Sequence, residues 1–218
     1  MKELLVYVPL LLKGTIITFI TWIVTGAISL VVGTALGILS CRRLTSPTLT
    51  KIVKLYTFIA KGIPAYVQIL IAYFVIPALL GINIPGLLAA VIALAFCSSG
   101  YITEIVRSGI NTIARGQWEA CFVLGYPTKD LLSRVILPQT FNNILPSLFG
   151  ELEQLLKSTS LLATIGITEL TRTGMNIISR ELNPIPVYLT VACIYLVCSG
   201  MLQVIIFYLE KRGHRGSY

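Results

Sequence analysis

Long apolar runs without a formal charge alternate with short polar stretches along this chain. Thr15–Ser40 holds no Asp, Glu, Lys or Arg, and about 20 apolar residues are enough for a helix to cross the hydrocarbon layer. A second uncharged run separates Lys61 from Glu104. It is too long for one helix, and Pro77, Gly81, Asn83, Pro85 and Gly86 gather near its middle as turn residues. The pattern predicts two spans there, about 63–80 and 85–106, with Pro64 in the first turn, where proline is tolerated. A less oily stretch, about 142–167, contains Glu151, Glu153, Lys157 and Ser158. A last uncharged run, about 185–209, ends in a basic tail. With the first run taken as about 15–40, about five spans are predicted. They form one domain over residues 1–218, and residues 107–139 and 167–184 read as polar connections. Gly26, Gly33 and Gly37 share roughly one face of the first span, where small residues let a second helix come close.

Composition agrees with this pattern. The 218 residues are 56% hydrophobic and 12% charged, against about 25% charged in a soluble domain. The fold class is therefore all-α integral membrane. The formal charge of +8 reads as cytoplasmic retention charge rather than as a nucleic-acid surface. Placing the C-terminus in the cytoplasm puts most Lys and Arg inside, among them Arg42, Arg43, Lys51, Lys54, Arg115, Lys129, Arg134 and Arg215. The N-terminus is then outside. The first apolar run is too long for the core of a signal peptide and reads as an uncleaved span. The five cysteines form no CxxC pair, and the single histidine, His214, lies in the tail. Neither a metal site nor a disulfide framework is expected, and the cysteines read as small apolar fillers.

The central polar segment, about 111–139, has its own organisation. Gln117 to Leu124 predicts a short helix that Gly125 breaks. Pro127 opens a second helix, Leu131, Leu132, Val135 and Ile136 form its apolar stripe, and Pro138 ends it. Periodicity alone leaves two readings open, a helix lying on the lipid surface or a helix that docks on a partner. No GxxxxGK[ST] phosphate loop occurs, so the chain has no such ATPase site of its own.

Charges at membrane depth are costly and default to function. Glu153 and Lys157 are spaced i, i+4 and predict an ion pair. Glu151, Gln154 and Ser158 fall on another face, and there Glu151 has no cation on its own helix. These three, with Gln68 in the second span, are the candidate substrate path. The alternative for Glu151 is a structural hydrogen-bond network. Glu104 and Arg107 predict a pair at the end of the third span, and Trp22 a packing or interfacial role.

Several separated motifs carry a resemblance. Gln117-Trp118-Glu119-Ala120 is followed by Leu124-Gly125 and Ile136-Leu137-Pro138. Lys61-Gly62-Ile63-Pro64 comes with Gln68, and Tyr101 with Glu104 to Arg107 and Gly109-Ile110. Leu155 to Leu161 precedes Glu169-Leu170. Together these resemble the permease subunits of ATP-binding-cassette importers, in their polar amino-acid branch. The resemblance implies that Gln117, Glu119, Ala120 and Gly125 belong to a coupling helix seated on a separate ATPase subunit, which uses the ATP. No cofactor would be bound by this chain. It also implies a second permease copy or a sister permease, an extracytoplasmic solute-binding protein, an amino-acid substrate and the bacterial inner membrane. Cys121 stands where the family has a second alanine, Ser158 where Asp is usual, and Glu153 where an apolar or small residue is usual. An ATP-independent carrier or channel is the rival reading; it would normally show more spans or an inverted repeat.

Overall fold

The computed structural model describes residues 2–41 and 46–213. Arg42, Arg43, His214 and Arg215 lie outside the described residues. All regular structure within the described residues is helical. Helix α1 is Lys2–Leu39 and starts well before Thr15. A boundary drawn from the uncharged run is late because that run excludes Lys13. Lysine is a good helix former, and its stem lies along apolar surface while the ammonium reaches water. The membrane-length part of α1 is Val6–Leu39, with mean hydropathy 2.2.

Helix α2 (Pro47–Gly62) buries Thr50, Val53, Thr57 and Ala60 at helical spacing. It ends ahead of Pro64, which forces the residue before it out of helical geometry. Pro64 itself is extended, at ψ 136, and precedes α3 (Ala65–Leu80) rather than lying in its first turn. Within α3 a π-helical turn, Ile71–Val75, comes just before Pro77. Gly81, at φ 66, closes the helix. Helix α4 is Gly86–Thr112 and α5 is Arg115–Val123.

The segment after Gly125 departs from expectation. Thr128–Asp130 leads through a π-helical stretch, Leu131–Ile136, directly into α6 (Leu137–Ser158). Pro138 therefore does not end a helix. The same order, a widened turn and then proline, occurs at Pro77. A π turn shifts the carbonyl that the proline ring would strike and absorbs the lost N–H bond. A 3₁₀ segment, Thr159–Ile165, follows α6.

The expected polar connection 167–184 is mostly helix α7 (Leu170–Glu181). Its buried Leu170, Thr173, Gly174 and Ile177 repeat at i, i+3, i+4 and i+7, a period hidden by the polar average of the segment. Glu169 caps it, accepting from the N–H groups of Thr171 at 2.8 Å and Arg172 at 2.7 Å. Helix α8 is Pro184–Gly213.

Among the described residues, length and composition give three spans, in Val6–Leu39, Gly86–Thr112 and Pro184–Tyr208, and a fourth if Pro47–Gly62 and Ala65–Leu80 count as one broken span. The expected span at about 142–167 is not among them. Asn142, Asn143, Glu151, Glu153, Gln154 and Lys157 dilute its apolar content.

The chain forms two compact units. One comprises Met1–Ile28, Ile63–Cys97 and Leu152–Val204. Ile69, Ala90, Leu94, Leu155 and Leu162 form one of its cores, and Leu11, Leu170, Ile177, Val187 and Val191 another. Here Trp22 Nε1 donates to the Leu152 carbonyl at 2.7 Å. The second unit comprises Ser29–Gly62, Ser98–Glu151 and Ile205–Tyr218. Ile102, Val106, Ile110, Trp118, Leu131, Ile136 and Ile144 build its core. A Cβ on Gly33 would stand 2.6 Å from Ile102 Cβ, and one on Gly37 2.6 Å from Val106 Cβ. The small-residue face of α1 is thus a close helix crossing in this unit.

Candidate functional site

Helix α5 is two-sided. Trp118 and Cys121 are buried, at 2% and 6% exposure, in the core with Ile110, Ile113, Leu131 and Ile136. Gln117, Glu119 and Ala120 are exposed on the opposite side. Cys121 faces inward, so its departure from alanine changes the packing side of α5 and leaves the outer side as it was. Glu119 is paired along the helix with Arg115, Nε to Oε1 2.6 Å. Both ends are exposed, and such a pair is worth little in water, so the Glu119 carboxylate stays available to a partner cation.

The C-terminal end of α5 and its cap present Phe122, Val123 and Leu124 to the outside, at 56%, 86% and 73% exposure. The sequence predicts Leu124 as helical, whereas it is the cap residue, and the pattern alone assigns these three exposed side chains no role. The signal was there, three consecutive large apolar residues directly before a glycine. Gly125 has φ 70, a conformation that glycine adopts without strain. The Tyr126 N–H donates back to the Cys121 carbonyl at 3.0 Å and closes the turn.

The buried polar residues fall into separate groups. Ser98 Oγ donates to Glu151 Oε1 at 2.7 Å. The partner that Glu151 lacks on its own helix is supplied by α4. Lys61 Nζ lies 5.3 Å from the centroid of the Tyr101 ring in the same unit. Tyr56 and Ser99 share a 2.6 Å hydroxyl contact in the same unit. Neither Ser98 nor Tyr56 was a sequence candidate, because a serine or tyrosine in an apolar run is unremarkable until its neighbour is known. Glu104 and Arg107 pair as expected.

Glu153 and Lys157 also pair, at 2.7 Å, and Gln203 Nε2 adds a longer 3.4 Å contact to Glu153. Gln154 is exposed, and Ser158 Oγ donates to the Gln154 carbonyl at 2.9 Å. Gln68 is buried, and its amide donates to the Ile63 carbonyl at 2.7 Å. That bond holds the break at Pro64, a structural task sequence reading did not assign to it. The filler role expected of the cysteines fits buried Cys41 and Cys121 but not Cys193, which is exposed on α8.

The pattern of the binding-protein-dependent transport system inner membrane components matches residues 29–215. The chain belongs to this family. The permease is 33% identical, over 97% of its length, to a putative glutamine transport system permease protein GlnP of Rickettsia typhi and covers 98% of that protein. It is also 33% identical to the arginine transport system permease protein ArtQ of Bacillus subtilis, over 95% of this chain and 92% of that one. The crystal structure of an amino acid ABC transporter with histidines matches at TM-score 0.88 and 31% identity, covering 96% of this chain and 97% of the other. The inward-facing MetNI methionine ABC transporter shares the fold, at TM-score 0.80 and 19% identity over 95% of this chain and 97% of that one. Family membership makes the chain a multi-pass inner-membrane transport subunit, with ATP consumed by a partner ATPase and solute delivered by a binding protein. It favours that reading over an ATP-independent carrier.

Proposed function

We propose that this permease carries an amino acid, that α5 is its coupling helix, and that Glu151 lies on the substrate path. The observation that carries the coupling assignment is the two-sidedness of α5. Trp118 and Cys121 bind it into a core shared with α4 and the π segment before α6, while Gln117, Glu119 and Ala120 stay free for an ATPase cleft. A push on the outer face is then delivered to packed helices, which move as rigid bodies because interiors are close-packed. Phe122 to Leu124 add apolar area to the docking face, and Gly125 sets the angle of presentation.

On this reading the N-terminus is outside, α5 is cytoplasmic, and the chain works as a single permease domain beside a second copy or a sister permease. Glu151 is the one carboxylate of α6 without a cation on that helix. It meets the ammonium group of the solute, while Ser98 holds the carboxylate in place. Gln154 and Ser158 follow at i+3 and i+7 on the same helix. Alternating access follows when ATP-driven closure of the motors moves the coupling helices.

The test is crosslinking in the assembled transporter. Ala120→Cys, with the native cysteines replaced, should crosslink to the ATPase, and the yield should change with ATP. A label at Ala120 that reacts only from the extracytoplasmic side removes the assignment.

A further inference from the structure

We propose that a cavity between the outer end of α1 and helix α7 binds the head group of an anionic phospholipid. The cavity has a volume of about 410 Å³, and Lys13, Arg180, Asn176, Thr168 and Thr173 contribute its polar wall. Among the described residues neither Lys13 nor Arg180 has an ion-pair partner. The carboxylates close in sequence are engaged elsewhere. Glu181 accepts the Tyr7 hydroxyl. Glu169 accepts from the Thr171 and Arg172 N–H groups and from the Tyr195 hydroxyl. The cavity thus presents two cations without an ion-pair partner among the described residues and a set of neutral polar groups.

Depth points to a lipid rather than a free solute anion. Val6–Leu39 contains 34 residues. At about 1.5 Å per residue it is about 51 Å long, against a hydrocarbon layer of about 30 Å. Even with a tilt of about 20° the helix exceeds that layer, so its excess length reaches into the head-group region. With the Leu39 end at the opposite boundary, Lys13, about 39 Å away along the helix, falls in that region. The rest of the lining is aliphatic, with Leu10, Ile17 and Ile177. A soluble anion has no use for that side of the cavity, whereas the start of an acyl chain packs against it. Basic pockets between membrane helices recognise lipid head groups by this combination. Thr173 completes the floor. Its Oγ1 is buried with no hydrogen-bond partner among the described residues, and a Cβ on Gly14 would stand only 2.6 Å from it. Glycine at position 14 is what lets α7 lie this close to α1.

The experiment is native mass spectrometry of the purified permease–ATPase complex exchanged into mixed micelles of phosphatidylglycerol and phosphatidylcholine. The native complex should retain phosphatidylglycerol preferentially. Lys13→Gln with Arg180→Gln should cut that preference roughly 30-fold, and each single change about fivefold. Lys13→Arg with Arg180→Lys should keep it. If the double variant is not recovered, the two single variants carry the test. An unchanged preference in the glutamine variants overturns the proposal. So does displacement of the retained lipid by millimolar inorganic phosphate, which would make the site one for small anions. A third overturning result is unchanged lipid retention with weakened docking of the solute-binding protein, which would assign the cations to a protein contact.

Discussion

Replacing Trp118 with alanine should separate docking from transmission. Trp118 is 2% exposed and packs with Ile110, Ile113, Cys121, Leu131 and Ile136. Truncating a buried tryptophan costs about 3–5 kcal/mol, as lost burial and as a cavity. The outer face of α5, with Gln117, Glu119 and Ala120, is left as it was. The loss falls on the attachment of α5 to its unit, so the detached state becomes more populated by roughly two to four powers of ten. The ATPase should still copurify in native stoichiometry. In proteoliposomes, amino-acid uptake per ATP hydrolysed should fall by about tenfold or more, with hydrolysis continuing. Trp118→Phe keeps most of the buried ring and should restore most of the coupling. The reasoning fails if Trp118→Ala lowers the melting temperature yet leaves uptake per ATP at the native value. It also fails if the variant loses the ATPase outright, because the residue would then be needed for docking itself.

Glu151→Gln should raise the KM for uptake about tenfold or more, since a hydrogen bond to a charged group is worth about 1.5–3 kcal/mol; unchanged uptake removes Glu151 from the path. Gly37→Ala should destabilise the protein by about 1–3 kcal/mol, read as a lower melting temperature in detergent, because its Cβ would stand 2.6 Å from Val106 Cβ. Burial raises the Glu169 carboxyl above its ordinary 4.5, against the pull of the Thr171 and Arg172 N–H groups and the Tyr195 hydroxyl. A carboxyl raised in the native state favours folding below its unfolded pKa, and that contribution is lost as pH rises through the native value. Melting temperature should therefore slope downward with pH above 4.5, and Glu169→Gln should flatten that slope; an identical slope in the variant refutes it.

The sequence by itself determined the class of this protein. Charge-free runs of membrane length and a low share of charged residues allow only a helical membrane chain, because backbone groups in lipid must be satisfied within the segment. The ordered motifs around Glu119, Lys61, Glu104 and Lys157 were equally legible, since each is local in sequence. The Glu153–Lys157 and Glu104–Arg107 pairs followed from helical spacing alone. Tertiary structure decided what local rules average away or cannot reach. It showed that α1 runs through Lys13, outside the uncharged run, and that Pro138 lies inside a helix, because a π turn relieves the conflict that marks the proline as a boundary. It drew α7 out of a segment that looked like a loop, because the buried side of an amphipathic helix is defined by what packs on it. It gave Glu151 a partner in Ser98, 53 positions away, and put Lys13 and Arg180 on one cavity wall. Contacts between residues distant in sequence depend on how helices cross, and the crossings are set by glycines and core side chains acting together, which no single stretch of the chain encodes.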